Sequence, residues 1–484
     1  ETAITTGTVG YAVNSHTQLG TQKFRGKLNY NTNHFGKQQI DLNISGNAGK
    51  GWFYSGSIYQ NFDPGTFKLR FASNQDRTQI YKAAITKRYN QDRGELSVIY
   101  HYSNSRWPSN AATNAPFMYV GDGSVKEIPG FKLGTSSYLP TTGEMVYMDM
   151  RSGELKKTNL YEGNQISLHH AYKWDNGLKW IVNAKYDHAL GSYVYQTPMS
   201  LEKKTSEDGY SLKDLEGNLT PYEGYVQSRM SCLNRGNIDE TFLTSELSRE
   251  YKNGTWRIGL NQWHYKIDYA SNTTMYDHTV EEYPSRLMKE GYTDGVYYDF
   301  NKNASEYYKG YENKLALYFT HDWDINDKIN VYYGARFEYQ KMHGQNAAVY
   351  LRNDSVLGRF PNYHLGAAYN KNGQTGTVAP QDFDYNWFNQ VYTFALTYKL
   401  TGQFGFTGDF TYNTQHPAIF SFAPSELPNV EKVSIPLGRG GIYYNNNWLS
   451  LTSLFSYIGK TNNNSTLNLI NPNNSKDINA APLS

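Results

Sequence analysis

The chain has 484 residues, and 44 tyrosines, 22 phenylalanines and 9 tryptophans make it 15% aromatic although only 38% is hydrophobic. Its 46 basic and 44 acidic residues nearly cancel and form no block of like charge, which argues against a nucleic-acid-binding stripe. There is no long apolar run, Cys232 is alone and aromatics are abundant, so a transmembrane helix, an internal disulfide, a cysteine-based zinc site and a disordered chain are all excluded.

In chain order the sequence predicts strands over 5–14, 23–31, 38–47, 51–60, 77–89, 94–103, 163–173, 178–188, 239–251, 255–267, 311–323, 328–340, 386–400, 404–412, 437–444 and 448–458. The signal is period-2 alternation, which puts successive side chains on opposite faces. In 328–340 one face reads Ile329, Val331, Tyr333, Ala335, Phe337 and Tyr339; the other reads Lys328, Asn330, Tyr332, Gly334, Arg336, Glu338 and Gln340. Segment 311–323 sets Leu315, Leu317, Phe319 and Trp323 against Glu312, Lys314, Thr320 and Asp322. Segments 94–102 and 178–188 alternate in the same way. Many of these strands reach the nine to eleven residues that a tilted strand needs to cross a bilayer.

Alternation alone also fits a soluble sandwich, and the connections discriminate. Short turns fall at Asn90–Arg93, Trp174–Gly177, Lys252–Gly254, Asp324–Asp327, Thr401–Gln403 and Asn445–Asn447. Between them lie long segments near 104–162, 189–238, 268–310, 341–385 and 413–436. Long loops at one end and short turns at the other are the pattern of an outer-membrane barrel, with the loops outside. The predicted class is therefore all-β, a transmembrane antiparallel β-barrel in the cell outer membrane. Low mean hydropathy, −0.70, then has a cause: only alternate residues face lipid. Trp256, Trp323 and Trp448, each beside a short turn, are expected in an aromatic girdle.

If 5–14 were a wall strand, the first strand would run inward, against the usual periplasmic start of such barrels. Counting from 23–31 removes the conflict and leaves fifteen wall strands, an odd number for an even barrel. The expectation is a partial chain, with 1–22 the end of a preceding domain and linker, and 23–484 a barrel that lacks its last strands.

The sequence resembles the TonB-dependent outer-membrane receptors, especially their Bacteroidota branch. Gly7-Thr8-Val9-Gly10-Tyr11-Ala12-Val13-Asn14 looks like the closing strand of that family's plug domain. Asp63-Pro64-Gly65-Thr66-Phe67-Lys68-Leu69-Arg70 and Arg77-Thr78-Gln79-Ile80-Tyr81-Lys82-Ala83-Ala84 look like its early barrel. Gln415-His416-Pro417-Ala418, Leu427-Pro428-Asn429 and Gly438-Arg439-Gly440-Gly441-Ile442-Tyr443 resemble a later loop-and-strand region. These are diffuse patterns over nearly the whole chain. The resemblance implies a barrel of about 22 strands, with most of the N-terminal plug and the energy-coupling box absent from this chain. It also implies import driven by the TonB–ExbB–ExbD complex through a missing N-terminal segment. Outer-membrane lipids and an imported small-molecule ligand are the other implied partners, with a surface lipoprotein a further one in the SusC-type branch.

No G-x-S-x-G, HExxH, Walker A or paired catalytic carboxylate pattern has a supporting context, so no enzyme, metal or cofactor is expected. His169 and His170 are adjacent in a strand and point to opposite faces, so they cannot chelate one ion together. The ligand-binding candidates are aromatics of the predicted exterior loops: Trp107, Tyr292, Tyr297, Tyr298, Tyr307 and Tyr308. Such rings stack on sugars or planar chelates, although abundant tyrosine also fills girdles. Lys185, Asp187, Glu312, Lys314, Glu338 and Gln340 are predicted on the lumen face near the outer rim, holding a plug or ligand or simply solvating the inner wall. The expected solute is a metal chelate (ferric siderophore, haem or cobalamin). A SusC-type oligosaccharide importer, a passive 16-stranded porin and a soluble glycan-binding module are the alternatives.

Overall fold

In the computed structural model, the structure describes residues 4–5, 17, 19–65, 74, 76–107, 117–119, 125–127, 147–148, 155–156, 159–280, 285–289, 296–297, 305–346, 367–369, 375–377, 381–422 and 430–459. Among the described residues, fifteen long strands make the wall. They are β1 (Arg25–Thr32), β2 (Gln38–Gly49), β3 (Trp52–Asp63), β4 (Asp76–Tyr89), β5 (Gly94–Trp107), β6 (Asn159–Lys173), β7 (Leu178–Lys204) and β8 (Gly224–Tyr251). They continue with β9 (Gly254–Thr279), β10 (Ser305–Asn326), β11 (Ile329–Asn346), β12 (Gln381–Lys399), β13 (Phe404–Gln415), β14 (Val433–Asn445) and β15 (Ser450–Ile458). Each pairs antiparallel with its neighbour in sequence, an up-and-down meander.

The burial pattern runs opposite to that of a soluble sheet. On β10 and β11 the exposed residues are Leu315, Leu317 (51%), Phe319, Tyr333, Phe337 and Tyr339, whereas Glu312, Thr320, Arg336, Glu338 and Gln340 (0%) are buried. The same inversion sets Leu96, Val98 and Tyr100 outward and Ser97 inward on β5. A half-solvated soluble sheet hides its apolar face. A wall that shows its apolar face outward and encloses a polar lumen is a transmembrane barrel wall. The soluble glycan-module alternative does not fit this face.

The short turns carry the expected chemistry. Asn90, Gln91 and Asp92 all adopt positive φ, and Arg93 N donates to Asn90 O at 3.2 Å. At the β2–β3 turn Gly51 has φ +76°, and a Cβ there would stand 2.4 Å from the Arg88 carbonyl oxygen. Trp323 and Trp448 are exposed beside their turns, with Trp52, Trp174 and Trp180 at the same end; Trp256 is half-buried.

Two sequence expectations need correction. The segments predicted as loops over 189–238 and 268–310 are largely strand, because β7, β8 and β9 run on to 27, 28 and 26 residues. These extensions stay in register beyond the lipid-facing stretch, with one irregularity between Pro198 and Leu201, since ladder hydrogen bonds need no apolar face to continue. A small sheet of Tyr210–Lys213, Leu219–Pro221 and Met288–Lys289 lies in the connections that follow them, packed on Tyr210, Val226 and Leu287.

Thr5, predicted as the start of a strand, is helical together with Ile4. Ile4 is fully buried against Tyr318 and Val391 of the inner wall. The rest of the predicted 5–14 strand lies outside the described residues, as do Tyr292, Tyr298, residues 66–73 of the early-barrel pattern and Leu427-Pro428-Asn429.

Candidate functional site

Strand register assembles the inner wall into rows. One row runs Lys185, Phe242, Trp263, Lys314, Gln340 and Trp387 across six strands. The row on its exterior side runs Asp187, Glu240, Tyr265, Glu312, Met342 and Tyr385. Toward the short turns, Asn261, Ala316, Glu338 and Asn389 form another, followed by Tyr318, Arg336 and Val391. Alternation alone gives each side chain its face; only register brings them side by side.

All six lumen candidates therefore lie within three adjacent rows. They are not at the rim: β11 continues to Asn346 and β7 to Lys204, so these residues sit mid-wall. Lys185, Glu312, Lys314 and Glu338 are in ion pairs. Lys185 meets Glu240 at 2.5 Å, Lys314 meets Glu312 at 2.9 Å, and Arg336 meets Glu338 at 2.6 Å. Trp263 Nε1 donates to Glu240 at 2.6 Å, and the Lys314 ammonium lies 5.1 Å from the Trp263 ring. Trp263 stacks on Tyr265 at 5.3 Å and Tyr385 on Trp387 at 5.0 Å. Thr5, Lys185, Glu240, Trp263, Lys314 and Arg336 line a cavity of about 420 Å³, the lower end of ordinary ligand-site volumes.

Among the described residues, two segments reach this wall. On one side, Arg336 Nη1 donates to the carbonyls of Ile4 and Thr5, each at 3.3 Å, and Asn261 Nδ2 donates to Thr5 O at 3.0 Å. On the other, the connection after β13 folds inward through a short 3-10 turn, Ile419–Phe422. Ile419 and Phe422 are buried with Ile267, Tyr308, Met342 and Phe383, and the Phe383 and Phe422 rings stack at 4.2 Å. Gly344 opens the wall for this cluster; a Cβ there would come within 2.8 Å of the Phe383 ring. Glu312 accepts Ile419 N–H at 3.0 Å, and Gln340 donates to Pro417 O at 3.1 Å. His416 stacks on Trp387 at 5.0 Å and donates from Nδ1 to Asn389 at 2.7 Å. Burial, reinforced by Lys432, pushes the His416 imidazole down to about 4.

The aromatic loop candidates are placed differently from expectation. Tyr307 and Tyr308 belong to β10, not to a loop. Tyr308 is 5% exposed in the inward cluster, 5.0 Å from Tyr269, and presents no free ring face to the exterior. Tyr297 lies in a two-residue strand paired to β9, and Trp107 closes β5. These positions follow from strands outlasting the lipid-facing stretch. His169 bonds Asn183 at 2.7 Å while His170 meets Tyr89 at 2.8 Å, on opposite faces.

Glu240, Trp263, Arg336, Asn389 and His416 were not among the sequence candidates. Arg336 shares the alternating polar face of 328–340 with Glu338 and Gln340, so its signal was present. His416 stood only within the pattern Gln415-His416-Pro417-Ala418, which gives no reason to place it in the lumen; only the fold brings its connection there.

No family model and no curated protein matches the chain. Among solved structures, the ferric yersiniabactin uptake receptor FyuA of Yersinia pestis superposes with a TM-score of 0.52 at 11% identity, covering 91% of this chain and 55% of that one. The siderophore receptor PiuA of Acinetobacter baumannii gives 0.49 at 12% identity, with 91% and 57% covered. The likeness to FyuA establishes a shared fold: the chain has the architecture of that receptor's β-barrel and spans little more than half of its length.

Proposed function

We propose that this chain is the barrel portion of a TonB-dependent outer-membrane receptor that binds a scarce solute on its exterior side and imports it with TonB-transduced energy. The barrel fold shared with FyuA carries the reading. It is supported by a lumen occupied from both sides, by Ile4 and Thr5 and by the 416–422 segment, which fits a gated path better than a passive pore. The porin alternative needs 5–14 as a wall strand, and Thr5 instead lies inside.

For the solute, the sequence-based preference is a metal chelate such as a ferric siderophore, haem or cobalamin. One observation favours the oligosaccharide alternative. Lys185, Lys314 and Arg336 are each matched to a carboxylate, so the cavity offers an anionic chelate no uncompensated charge, while aromatic Trp263 lines it. Binding and uptake by the full-length receptor decide between them, using a ferric siderophore, haem, cobalamin and a neutral oligosaccharide. Uptake abolished by a protonophore supports the importer. Downhill flux that a protonophore leaves unchanged overturns it.

A further inference from the structure

The two segments that reach the lumen are joined by an unbroken run of hydrogen bonds through the wall. Ile419 N–H donates to Glu312 Oε2, and Gln340 Nε2 donates to Glu312 Oε1 at 2.8 Å. Asn389 Nδ2 donates both to Gln340 Oε1 at 2.8 Å and to Glu338 Oε1 at 3.3 Å. Glu338 Oε2 takes Arg336 Nη2 at 2.6 Å, and Arg336 Nη1 holds the carbonyls of Ile4 and Thr5. Every wall member (Glu312, Gln340, Asn389, Glu338, Arg336) is less than a tenth exposed.

We propose that this run is a relay that couples docking of the exterior segment 416–422 to the grip of the wall on Ile4 and Thr5. It rests on reading the lumen as a transport path.

Asn389 is fully engaged: its amide hydrogens go to Gln340 and Glu338, and its oxygen takes His416. When 416–422 lifts away, Glu312 loses the Ile419 donor, Gln340 loses the Pro417 acceptor and Asn389 loses His416 together. Buried amides do not tolerate lost partners, so they re-pair as a group. A turn of Asn389 away from Glu338 frees Glu338 Oε1. A carboxylate with both oxygens free pairs best with a guanidinium in a two-pronged fork. Arg336 is short of that pairing in the docked state, because its buried Nε has no hydrogen-bond partner among the described residues. Completing the fork draws the guanidinium toward Glu338 and off the two carbonyls. Undocking outside therefore loosens residues 4–5 inside, across four residues of β11, about 13 Å of strand.

The test is amide hydrogen exchange of the peptide containing Ile4 and Thr5, in the full-length protein reconstituted in phospholipid vesicles. Gln340→Leu cuts the relay in the middle. Replacing 416–422 by a Gly-Ser segment removes its outer end without touching the wall, so it reports even if Gln340→Leu fails to fold. Lys185→Gln is the control: it deletes the partly exposed ion pair to Glu240 and touches no member of the run. Exchange about tenfold faster in the first two, and within about twofold of the parent in the control, is the expected result for a coupling of ordinary size. Unchanged exchange when 416–422 is replaced, or an equal rise in Lys185→Gln, overturns the relay. The readout does not involve transport. A receptor that shows the exchange response but imports nothing sinks the importer reading alone, and import with no exchange response sinks the relay alone.

Discussion

Arg336 and Glu338 show how much a lumen wall depends on matched charge. Their side chains are 5% and 10% exposed, so removing one leaves the other charged in a poorly solvated place. Glu338→Ala is expected to destabilise the folded barrel by about 3–5 kcal/mol, read by guanidinium unfolding of the reconstituted protein. Replacing both with apolar residues of similar size recovers most of that loss, because the cost lies in the orphaned charge. His416 gives the second prediction at this scale. Folded, it stays neutral down to about pH 4, against an ordinary value of 6.5. Between those values the undocked segment binds a proton that the docked one does not, so docking weakens as pH falls from about 6.5 to about 4. Above that window it does not change. Trp387 lies under the His416 ring, so its fluorescence should follow this transition, and His416→Gln should abolish it.

Strands add a constraint that single residues do not reveal. Each wall strand presents one face to lipid and the other to the lumen, and the two faces tolerate opposite substitutions. Leu317, half exposed on the outer face, lies well away from the Trp323 girdle on β10. Leu317→Arg is expected to cost about 2–4 kcal/mol if it sits near the bilayer midplane. Lys185→Gln, on the lumen face in a partly exposed ion pair, is expected to cost less than about 1 kcal/mol. Refolding equilibria in vesicles measure both; equal penalties would mean that the faces are misassigned. The strands were legible because Leu315, Leu317 and Phe319 alternate with Lys314, Ala316 and Tyr318. The ends of β7, β8 and β9 were not. Past the lipid-facing stretch nothing forces an apolar face, so Tyr307 and Tyr308 read as loop residues although the ladder continues through them.

At the scale of the whole molecule, the outward apolar band predicts that the protein leaves the membrane only in detergent. Its release by buffer alone as a monodisperse monomer would be incompatible with this fold. The same band explains the joint excess of tyrosine and phenylalanine and the low mean hydropathy, since about half of each strand faces a polar interior.

By itself the sequence determined the wall: the period-2 pattern, the fifteen strands from 23–31 onward and the alternation of short turns with long connections. All of these depend on residues close together in the chain. It also placed Glu312, Lys314, Glu338 and Gln340 on the polar face. Tertiary structure decided which of those faces meet. Gln340 touches Asn389 and Pro417 because strand register and an inward-folded connection put them there, and neither is encoded within a local window. The pairing of Lys185, Lys314 and Arg336 with carboxylates, and the contact of Ile4 and Thr5 with Arg336 more than 300 residues away, exist only once the sheet has curled around its own polar side.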